Sequence, residues 1–250
     1  MFKSAGYATA AIGKWHLGWD LTYKEGKAKT VDNIDFTKRV ANGPTDRGFD
    51  YFYGLTSPSG PPHLYMVNDM AEKQPNTRFE ESGGGLYKIK GGIGHSDWSS
   101  DGMQPHLADK MLEYLDENKD SDKPFFLYMA LTAPHIPLFP SKEFKGKSKI
   151  GDYGDLVMMI DDIVGRVNRK LKEIGKYDNT IVMFAADNGC AGYINMDRIN
   201  RKGHYPSYIY RGYKSHGWEG GHRIPFILSW GDRYGHVTDN SLVSLTDLYA

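Results

Sequence analysis

The segment Thr180-Ile-Val-Met-Phe-Ala-Ala-Asp-Asn-Gly189 decides the fold of this chain. Its first seven residues are uncharged and apolar or β-branched, which predicts a strand buried on both faces, as in parallel sheets flanked by helices. Asp187 and Asn188 follow at the carboxyl end of the strand, where open α/β sheets bind their ligands. A carboxylate beside a carboxamide offers the hard oxygen donors that Ca²⁺ or Mg²⁺ prefers. The same tripeptide also favours a plain turn or helix cap, so a metal site is one of two interpretations.

The composition is that of an ordinary globular chain. Of its 250 residues, 40% are hydrophobic and 25% are charged, which allows a buried core and excludes a disordered or fibrous protein. The 31 basic and 31 acidic residues cancel, so no overall field recruits nucleic acid or an anionic membrane. No apolar run reaches the ~20 residues that a membrane span requires. The single cysteine, Cys190, excludes an internal disulfide and a cysteine-based zinc cluster.

A second apolar run, Tyr7 to Ile12, predicts a short buried strand that leads directly into Gly13-Lys-Trp-His-Leu-Gly18. Residues two apart on a strand project to the same side, so Lys14 and His16 would face one way and Trp15 and Leu17 the other. The Lys14 ammonium and the His16 imidazole could then bind an anion together. A solvated lysine beside a hydrogen-bonded structural histidine is an equally good interpretation of the pair.

The third apolar run, Lys123 to Leu131, predicts another buried strand, and Ala133-Pro-His-Ile-Pro137 follows it. Two prolines restrict the backbone on either side of the His135 imidazole. A histidine held at the carboxyl end of a strand is a candidate for catalysis. A lone histidine is also often a satisfied structural residue, and the sequence leaves both interpretations open.

Two segments have the periodicity of amphipathic helices, His106 to Asn118 and Tyr153 to Ile174. Asp161 and Asp162 on the second are rejected as a metal site, because neighbours on a helix point about 100° apart. Strand, helix and strand at this spacing imply right-handed βαβ units. The predicted fold is therefore α/β, with a mainly parallel sheet flanked by helices on both faces.

The remaining segments are less regular. Asp20 to Asn42 is polar without a clear period and is predicted to be a surface excursion. Residues 72–101 are glycine-rich and predict an insertion or long loop, and residues 195–213 predict a variable loop beside the site. A last apolar run, Phe226 to Trp230, predicts a strand, and the glycine pair after Glu219 predicts a tightly bent backbone before it.

Four of these segments occur in an order that resembles the formylglycine-dependent (type I) sulfatases of the alkaline phosphatase superfamily. They are G-K-W-H-L-G at 13–18, A-P-H-x-P at 133–137, D-N-G at 187–189 and K-x-x-x-x-E-G-G-x-R at 214–223, joined by G-F-D-x-F-x-G at 48–54. Any one motif is weak evidence, whereas four in order are strong. The resemblance implies that residues 1–250 are part of a sulfatase catalytic domain.

The resemblance also implies roles for four residues in sulfate ester hydrolysis. Lys14 and Lys214 would hold the sulfate oxygens, where negative charge collects during sulfuryl transfer. His16 would contact the hydrated aldehyde of the formylglycine nucleophile. His135 would face the leaving-group oxygen as general acid, a role for which an imidazole has a suitable pKa.

For the metal and the substrate, the resemblance implies a further set. Asp187 and Asn188 would be two of the ligands of a Ca²⁺ ion, with Mg²⁺ as an alternative. His216 and His222 are weaker candidates for substrate contacts. The partner would be a sulfated carbohydrate or another sulfate ester, with no nucleic acid and no membrane span. The resemblance further implies a periplasmic or extracellular location, although the sequence from Met1 to Gly6 does not have the pattern of a signal peptide.

One departure from the family pattern stands out. The nucleophile of the family lies in C-x-P-S-R or S-x-P-S-R, preceded by an aspartate pair that completes the calcium site, and neither occurs here. Cys190 does not replace it, because no such proline and arginine follow. The sequence therefore predicts a fragment that begins after the nucleophile segment, ends before the smaller C-terminal subdomain, and is inactive by itself.

Three functions remain compatible with the sequence. The first is a sulfatase acting on sulfated carbohydrates. The second is a phosphatase or phosphodiesterase of the same superfamily, although such enzymes usually bind two metals where this chain has Lys14 and Lys214. The third is a non-catalytic carbohydrate-binding protein, which the missing nucleophile permits. The identity of the substrate and the type of nucleophile stay open.

Overall fold

A computed structural model describes residues 1–249 of the chain. The strands of this region are, in chain order, β1 (Ala8–Lys14), β2 (Tyr51–Leu55), β3 (Met66–Val67), β4 (Met70–Ala71), β5 (Thr77–Phe79), β6 (Gly92–Gly94), β7 (Phe125–Ala130), β8 (Ile181–Ala185) and β9 (Phe226–Trp230). The α-helices are α1 (Met103–Glu117), α2 (Asp152–Glu173), α3 (Met196–Arg201) and α4 (Glu219–His222). From β6 onward α-helices lie between successive strands, which confirms the predicted α/β class.

The central sheet has five strands in the order β4-β3-β2-β1-β7. Strands β2, β1 and β7 run parallel, whereas β3 and β4 add an antiparallel edge, so the sheet is mixed. Gly13 of β1 lies between Gly54 of β2 and Ala130 of β7. A Cβ atom on Gly13 would lie 2.0 Å from the Ala130 carbonyl oxygen, so only glycine permits this approach. The carboxyl ends of the three parallel strands therefore reach the same edge of the sheet.

Helices α1 and α2 cover one face of this sheet. Their apolar stripes bury Leu107 and Met111 of α1 and Met159 of α2 against Ile12 and Tyr53 of the sheet. Full burial of such a side chain contributes roughly 1.5–3 kcal/mol relative to exposure. Both helices were predicted from periodicity, and their bounds differ from the prediction by only a few residues.

The other face of the sheet is covered differently from the prediction. The segment between β1 and β2 buries Ile34, Phe36 and Val40 against Ala11 and Phe52. The prediction of a surface excursion for this segment is therefore wrong at these three positions. The reason is that isolated apolar residues in a polar segment can anchor it without producing any period that a sequence reveals.

Strands β8 and β9 pair antiparallel with each other in a separate two-stranded sheet. The prediction that the strand at Thr180 pairs within one parallel sheet is wrong in this respect. Burial also differs, since Val182 packs against Leu115 and Val167 while Ile181 and Met183 remain 44% and 47% exposed. Within residues 1–249 no element covers the side of β8 that carries these two residues, so the uncharged run has one packed face and one open face.

The predicted insertion at residues 72–101 is partly ordered. Strands β5 and β6 pair antiparallel within it, and Ile89 and Trp98 are buried in the main core. At the C-terminus, a 3₁₀ helix runs from Leu245 to Tyr249, and Ala250 lies outside the described residues. None of the described helices has the length and apolar character needed to cross a membrane.

Candidate active site

Lys14 is the last residue of β1 and lies half-buried at the carboxyl edge of the sheet. The next backbone N–H, that of Trp15, donates to the Leu55 carbonyl oxygen at 2.8 Å and extends the pairing with β2 by one step. Burial lowers the pKa of the Lys14 ammonium, the Asp187 charge raises it, and the Lys214 charge lowers it. Lys14 therefore lies close to both residues, although they are far from it in sequence.

The alternation of side chains predicted for residues 14–17 holds only in part. Trp15 is buried, and its Nε1–H donates to the Gly18 carbonyl oxygen at 3.0 Å, which bends the chain. Leu17 is 81% exposed, so the prediction that it shares the side of Trp15 is wrong. The two-residue period applies only within the strand, which ends at Lys14. His16 is exposed and lies two residues beyond the end of β1.

A buried polar contact holds the loop that carries His135. The backbone N–H and the hydroxyl of Thr132 both donate to Oε1 of Gln104 on α1, at 3.1 Å and 2.7 Å. The His135 Nδ1 lies 2.7 Å from the Ile136 carbonyl oxygen. Because a carbonyl oxygen can only accept, Nδ1 carries the proton and Nε2 is the nitrogen available to a substrate.

The environment of His135 places it beside the other charged groups. Burial is the main cause that lowers the pKa of the His135 imidazole. The Ile136 carbonyl raises this pKa, the charges of Lys14 and Lys214 lower it, and the Asp187 charge raises it. These causes together favour the neutral imidazole, and charges of both signs act on it.

The loop after β8 packs directly on α4. The Gly189 N–H donates to the Gly221 carbonyl oxygen at 2.9 Å, and a Cβ on Gly189 would lie 2.0 Å from the Gly220 carbonyl oxygen. The Lys214 N–H donates to the Cys190 carbonyl oxygen at 2.8 Å. The glycines are thus needed because two backbones meet here, and this contact sets Lys214 beside the loop that carries Asp187.

The two predicted metal ligands differ in their surroundings. The Asp187 carboxylate is exposed. The Asn188 Nδ2 donates to the Gly189 carbonyl oxygen at 3.0 Å, which leaves Oδ1 as the end of the amide that can bind a cation. Within residues 1–249 no three His, Cys, Asp or Glu side chains form a cluster that could hold a metal. Since Ca²⁺ takes 6–8 oxygen ligands, these two donors fit one part of a calcium site.

The structure thus brings Lys14, His135, Asp187 and Lys214 together, with Asn188 next in the chain. The weaker substrate candidates lie on the segment that follows Lys214. His216 is exposed, and its ring centroid lies 4.1 Å from that of Tyr213.

The other weak substrate candidate, His222, is the exposed last residue of α4, next to the Gly221 carbonyl that binds the Gly189 N–H. On the same helix, Glu219 and Arg223 form an ion pair of 2.9 Å.

Sequence reasoning missed Tyr193. Its ring meets that of His135 edge-on, with 6.3 Å between the centroids, and it remains 45% exposed. Burial raises the pKa of the Tyr193 hydroxyl, and the charges of Cys190 and Asp187 raise it further. Tyr193 thus adds an aromatic side chain to the site. No period or motif marks it, and its position six residues after Asp187 is the only signal in the sequence.

The chain is similar to known proteins over its whole length. The sulfatase family model matches residues 1–250. The chain belongs to the sulfatase family. It is 30% identical to an N-acetylgalactosamine-6-O-sulfatase of Bacteroides thetaiotaomicron, across all of this chain and 54% of that protein. It is also 31% identical to an arylsulfatase of Hemicentrotus pulcherrimus, across 99% of this chain and 40% of that protein.

Solved structures support the same membership. A sulfatase from Bacteroides thetaiotaomicron, solved in a study of glycosaminoglycan metabolism, superposes with a TM-score of 0.73 at 29% identity, over 91% of this chain and 53% of that one. A sulfatase from a Pseudoalteromonas species gives a TM-score of 0.63 at 26% identity. This chain spans about half the length of the curated relatives and structures that it matches.

Proposed function

We propose that the protein carrying this chain hydrolyses sulfate esters of carbohydrates. The observation that carries the proposal is the meeting of two ammonium groups, Lys14 and Lys214, with the His135 imidazole and the Asp187 carboxylate. Bringing these groups close together costs desolvation and repulsion unless a charged ligand binds among them. The names of the relatives, which include sulfatases of N-acetylgalactosamine, support a sulfated sugar as that ligand.

The two lysines would bind the sulfate group. Sulfuryl transfer places negative charge on the equatorial oxygens, and two fixed ammonium groups stabilise that charge without reorganisation during the reaction. Burial lowers the pKa of Lys14, and a bound sulfate would oppose this effect because an anion favours the charged ammonium. Substrate binding and lysine protonation would therefore support each other.

His135 would give its proton to the leaving oxygen. Burial and the charges of the two lysines lower the pKa of the imidazole. A bound sulfate offsets these charges and favours the imidazolium, so Nε2 would hold a proton when the substrate is in place. Because Nδ1 is already directed at the Ile136 carbonyl, the ring is oriented before the substrate arrives.

A divalent cation and a nucleophile complete the proposal. Asp187 and the Asn188 Oδ1 would hold one side of a Ca²⁺ ion, and Mg²⁺ is the alternative. The cation would supply further positive charge for the sulfate oxygens. A formylglycine residue is proposed as the nucleophile, and it would lie outside residues 1–250. A periplasmic or extracellular location is proposed with the activity.

A screen of the full-length protein tests this function. Sulfate release is measured from N-acetylgalactosamine 6-sulfate, from other sulfated sugars and from an aryl sulfate, with the matching aryl phosphate as the competing substrate. We expect turnover of the sulfates only. Chelation of the divalent cation should abolish this turnover, and residues 1–250 alone should show none. Turnover of the phosphate alone would instead indicate a phosphatase or phosphodiesterase of the same superfamily. Binding of sulfated sugars without turnover would indicate a non-catalytic carbohydrate-binding protein.

A further inference from the structure

Arg211 and Trp218 form an exposed pair on the segment that carries Lys214. The guanidinium carbon of Arg211 lies 3.9 Å from the centre of the indole ring, and Trp218 is 51% exposed. An arginine stacked in this way has one face covered by the ring, while its N–H donors at the edge remain available. The pair therefore presents a planar, permanently charged donor group to solvent.

No acid of the same segment neutralises Arg211. Glu219 is the only acidic residue between positions 198 and 223, and its carboxylate binds Nη1 of Arg223 at 2.9 Å. Arg211 is thus left facing solvent with its charge uncompensated by this segment. The edge of a stacked guanidinium matches the two oxygens of a carboxylate or a sulfate, which it can bind through parallel hydrogen bonds.

The backbone holds Arg211 in a fixed position relative to the site. The Gly220 N–H donates to the Arg211 carbonyl oxygen at 2.9 Å, and a Cβ on Gly220 would lie 2.2 Å from the Gly212 carbonyl oxygen. Gly220 belongs to α4, which also packs on Gly189. Arg211 and the loop that carries Asp187 are therefore anchored to the same short helix.

Arg211 lies three residues before Lys214, so their Cα atoms are at most about 11 Å apart. A group bound at Arg211 would therefore lie next to the proposed sulfate position. We propose that Arg211, held on Trp218, binds a second anionic group of the substrate, a carboxylate or sulfate on the sugar next to the sulfated one. This inference rests on the proposed function and extends it from the sulfated sugar to the anionic sugar beside it.

The test compares substrates that differ only in the neighbouring sugar. The full-length protein is assayed on a sulfated hexosamine monosaccharide and on three disaccharides in which the same sugar is joined to a neutral sugar, a uronic acid or a second sulfated sugar. We expect Arg211→Ala to raise KM for one or both dianionic disaccharides by about 10- to 100-fold, the effect of losing hydrogen bonds to a charged group. The monosaccharide and the neutral disaccharide should be unaffected.

The two dianionic disaccharides distinguish the sources of the anionic group. A loss confined to the uronic acid compound identifies a carboxylate, and a loss confined to the disulfated compound identifies a sulfate. Arg211→Lys should recover only part of the affinity, because a lysine keeps the charge but not the planar pair of donors.

The chain contains a matched control. Arg233 also lies over an indole, 4.5 Å from the ring of Trp230, but at the far end of β9. Trp230 pairs with Ile181 at the start of β8, whereas Asp187 follows the end of that strand. Arg233→Ala should therefore change none of the four KM values.

Two results would overturn the inference. One is an Arg211→Ala variant with unchanged KM for every substrate, and the other is an equal loss on all four, which would give Arg211 a general structural role. If the wild-type protein turns over none of them, the proposed function fails, and calorimetric binding of the same saccharides still decides the role of Arg211. Binding of the dianionic compounds that Arg211→Ala does not weaken would then refute it.

Discussion

The backbone N–H of Lys214 donates a hydrogen bond of 2.8 Å to the carbonyl oxygen of Cys190. Cys190 stands three residues after Asp187. This bond therefore holds the backbone of Lys214 beside the loop that carries Asp187, although the two residues are far apart in the sequence. The backbone makes this contact, so the contact does not require the Lys214 side chain. The function of Lys214 can therefore be tested without disturbing the fold.

Lys214→Ala in the full-length protein is expected to lower kcat/KM for a sulfate ester by about 10²- to 10³-fold, the usual effect of removing one group that stabilises transition-state charge. Lys202→Ala is the control, since Lys202 is exposed and its Nζ donates to the Lys149 carbonyl oxygen. Steady-state kinetics with both variants measure the difference. Equal effects of the two substitutions would remove Lys214 from the proposed mechanism.

His135 should titrate below its ordinary pKa in the metal-free chain, because burial and the two lysines favour the neutral ring. Lys14→Met is expected to raise that pKa, since the Lys14 charge lowers it. Lys172→Met is the control, because Lys172 lies over the Tyr177 ring at the end of α2. NMR titration of the imidazole measures all three proteins. If Lys14→Met leaves the midpoint unchanged, the Lys14 charge does not act on the His135 imidazole.

Gly220→Ala should destabilise the chain, because its Cβ would lie 2.2 Å from the Gly212 carbonyl oxygen and the backbone would have to shift. We expect a loss of about 1–3 kcal/mol in the free energy of unfolding, as for other overpacked sites. Gly217→Ala is the matched control on the same segment, since nothing lies within 4 Å of its added Cβ. Denaturant unfolding compares the two variants, and equal stabilities would contradict the close packing.

His63 should make stability depend on pH. It is 1% exposed, and burial lowers the pKa of its ring below 6.5, although the Lys90 carbonyl opposes this. As pH falls below about 6.5 the unfolded chain takes up a proton that the folded chain refuses, so the free energy of unfolding decreases. Above that pH the ring is neutral in both states and contributes no slope.

The His63→Phe variant tests this origin of the pH dependence. Its unfolding free energy should fall less steeply between pH 7.5 and 5.5 than that of the wild type, by at most about 1.4 kcal/mol per pH unit. Some slope should remain, because burial also lowers the pKa of His106 and His135. Identical slopes in variant and wild type would show that His63 is not the source.

The sequence predicted what depends on local pattern. Helices α1 and α2 follow from their apolar periods, and the strand at Phe226 to Trp230 has the predicted bounds. The sequence-based prediction failed where contacts between distant segments determine the structure. The pairing of β8 with β9 joins segments far apart in the sequence, and the burial of Phe36 depends on a sheet face that the local sequence does not encode.

The same division holds for the candidate site. The motifs located Lys14, His135, Asp187 and Lys214, whose charges act on one another in the folded chain. Their assigned roles stay predictions. Tyr193 escaped notice because an aromatic residue in an irregular loop has no distinguishing pattern, and only its position against the His135 ring makes it part of the site.

The open side of β8 and β9 has a practical consequence. Met183 and Leu228 lie directly opposite each other across the two strands, and they remain 47% and 46% exposed. Ile181 extends this apolar surface, since it lies two residues from Met183 on the same side of the sheet. Residues 1–250 purified alone should therefore self-associate, increasingly so in ammonium sulfate, because that salt strengthens apolar burial. Crystallisation trials and light scattering of residues 1–250 would then report contacts between these apolar surfaces as well as properties of the single chain.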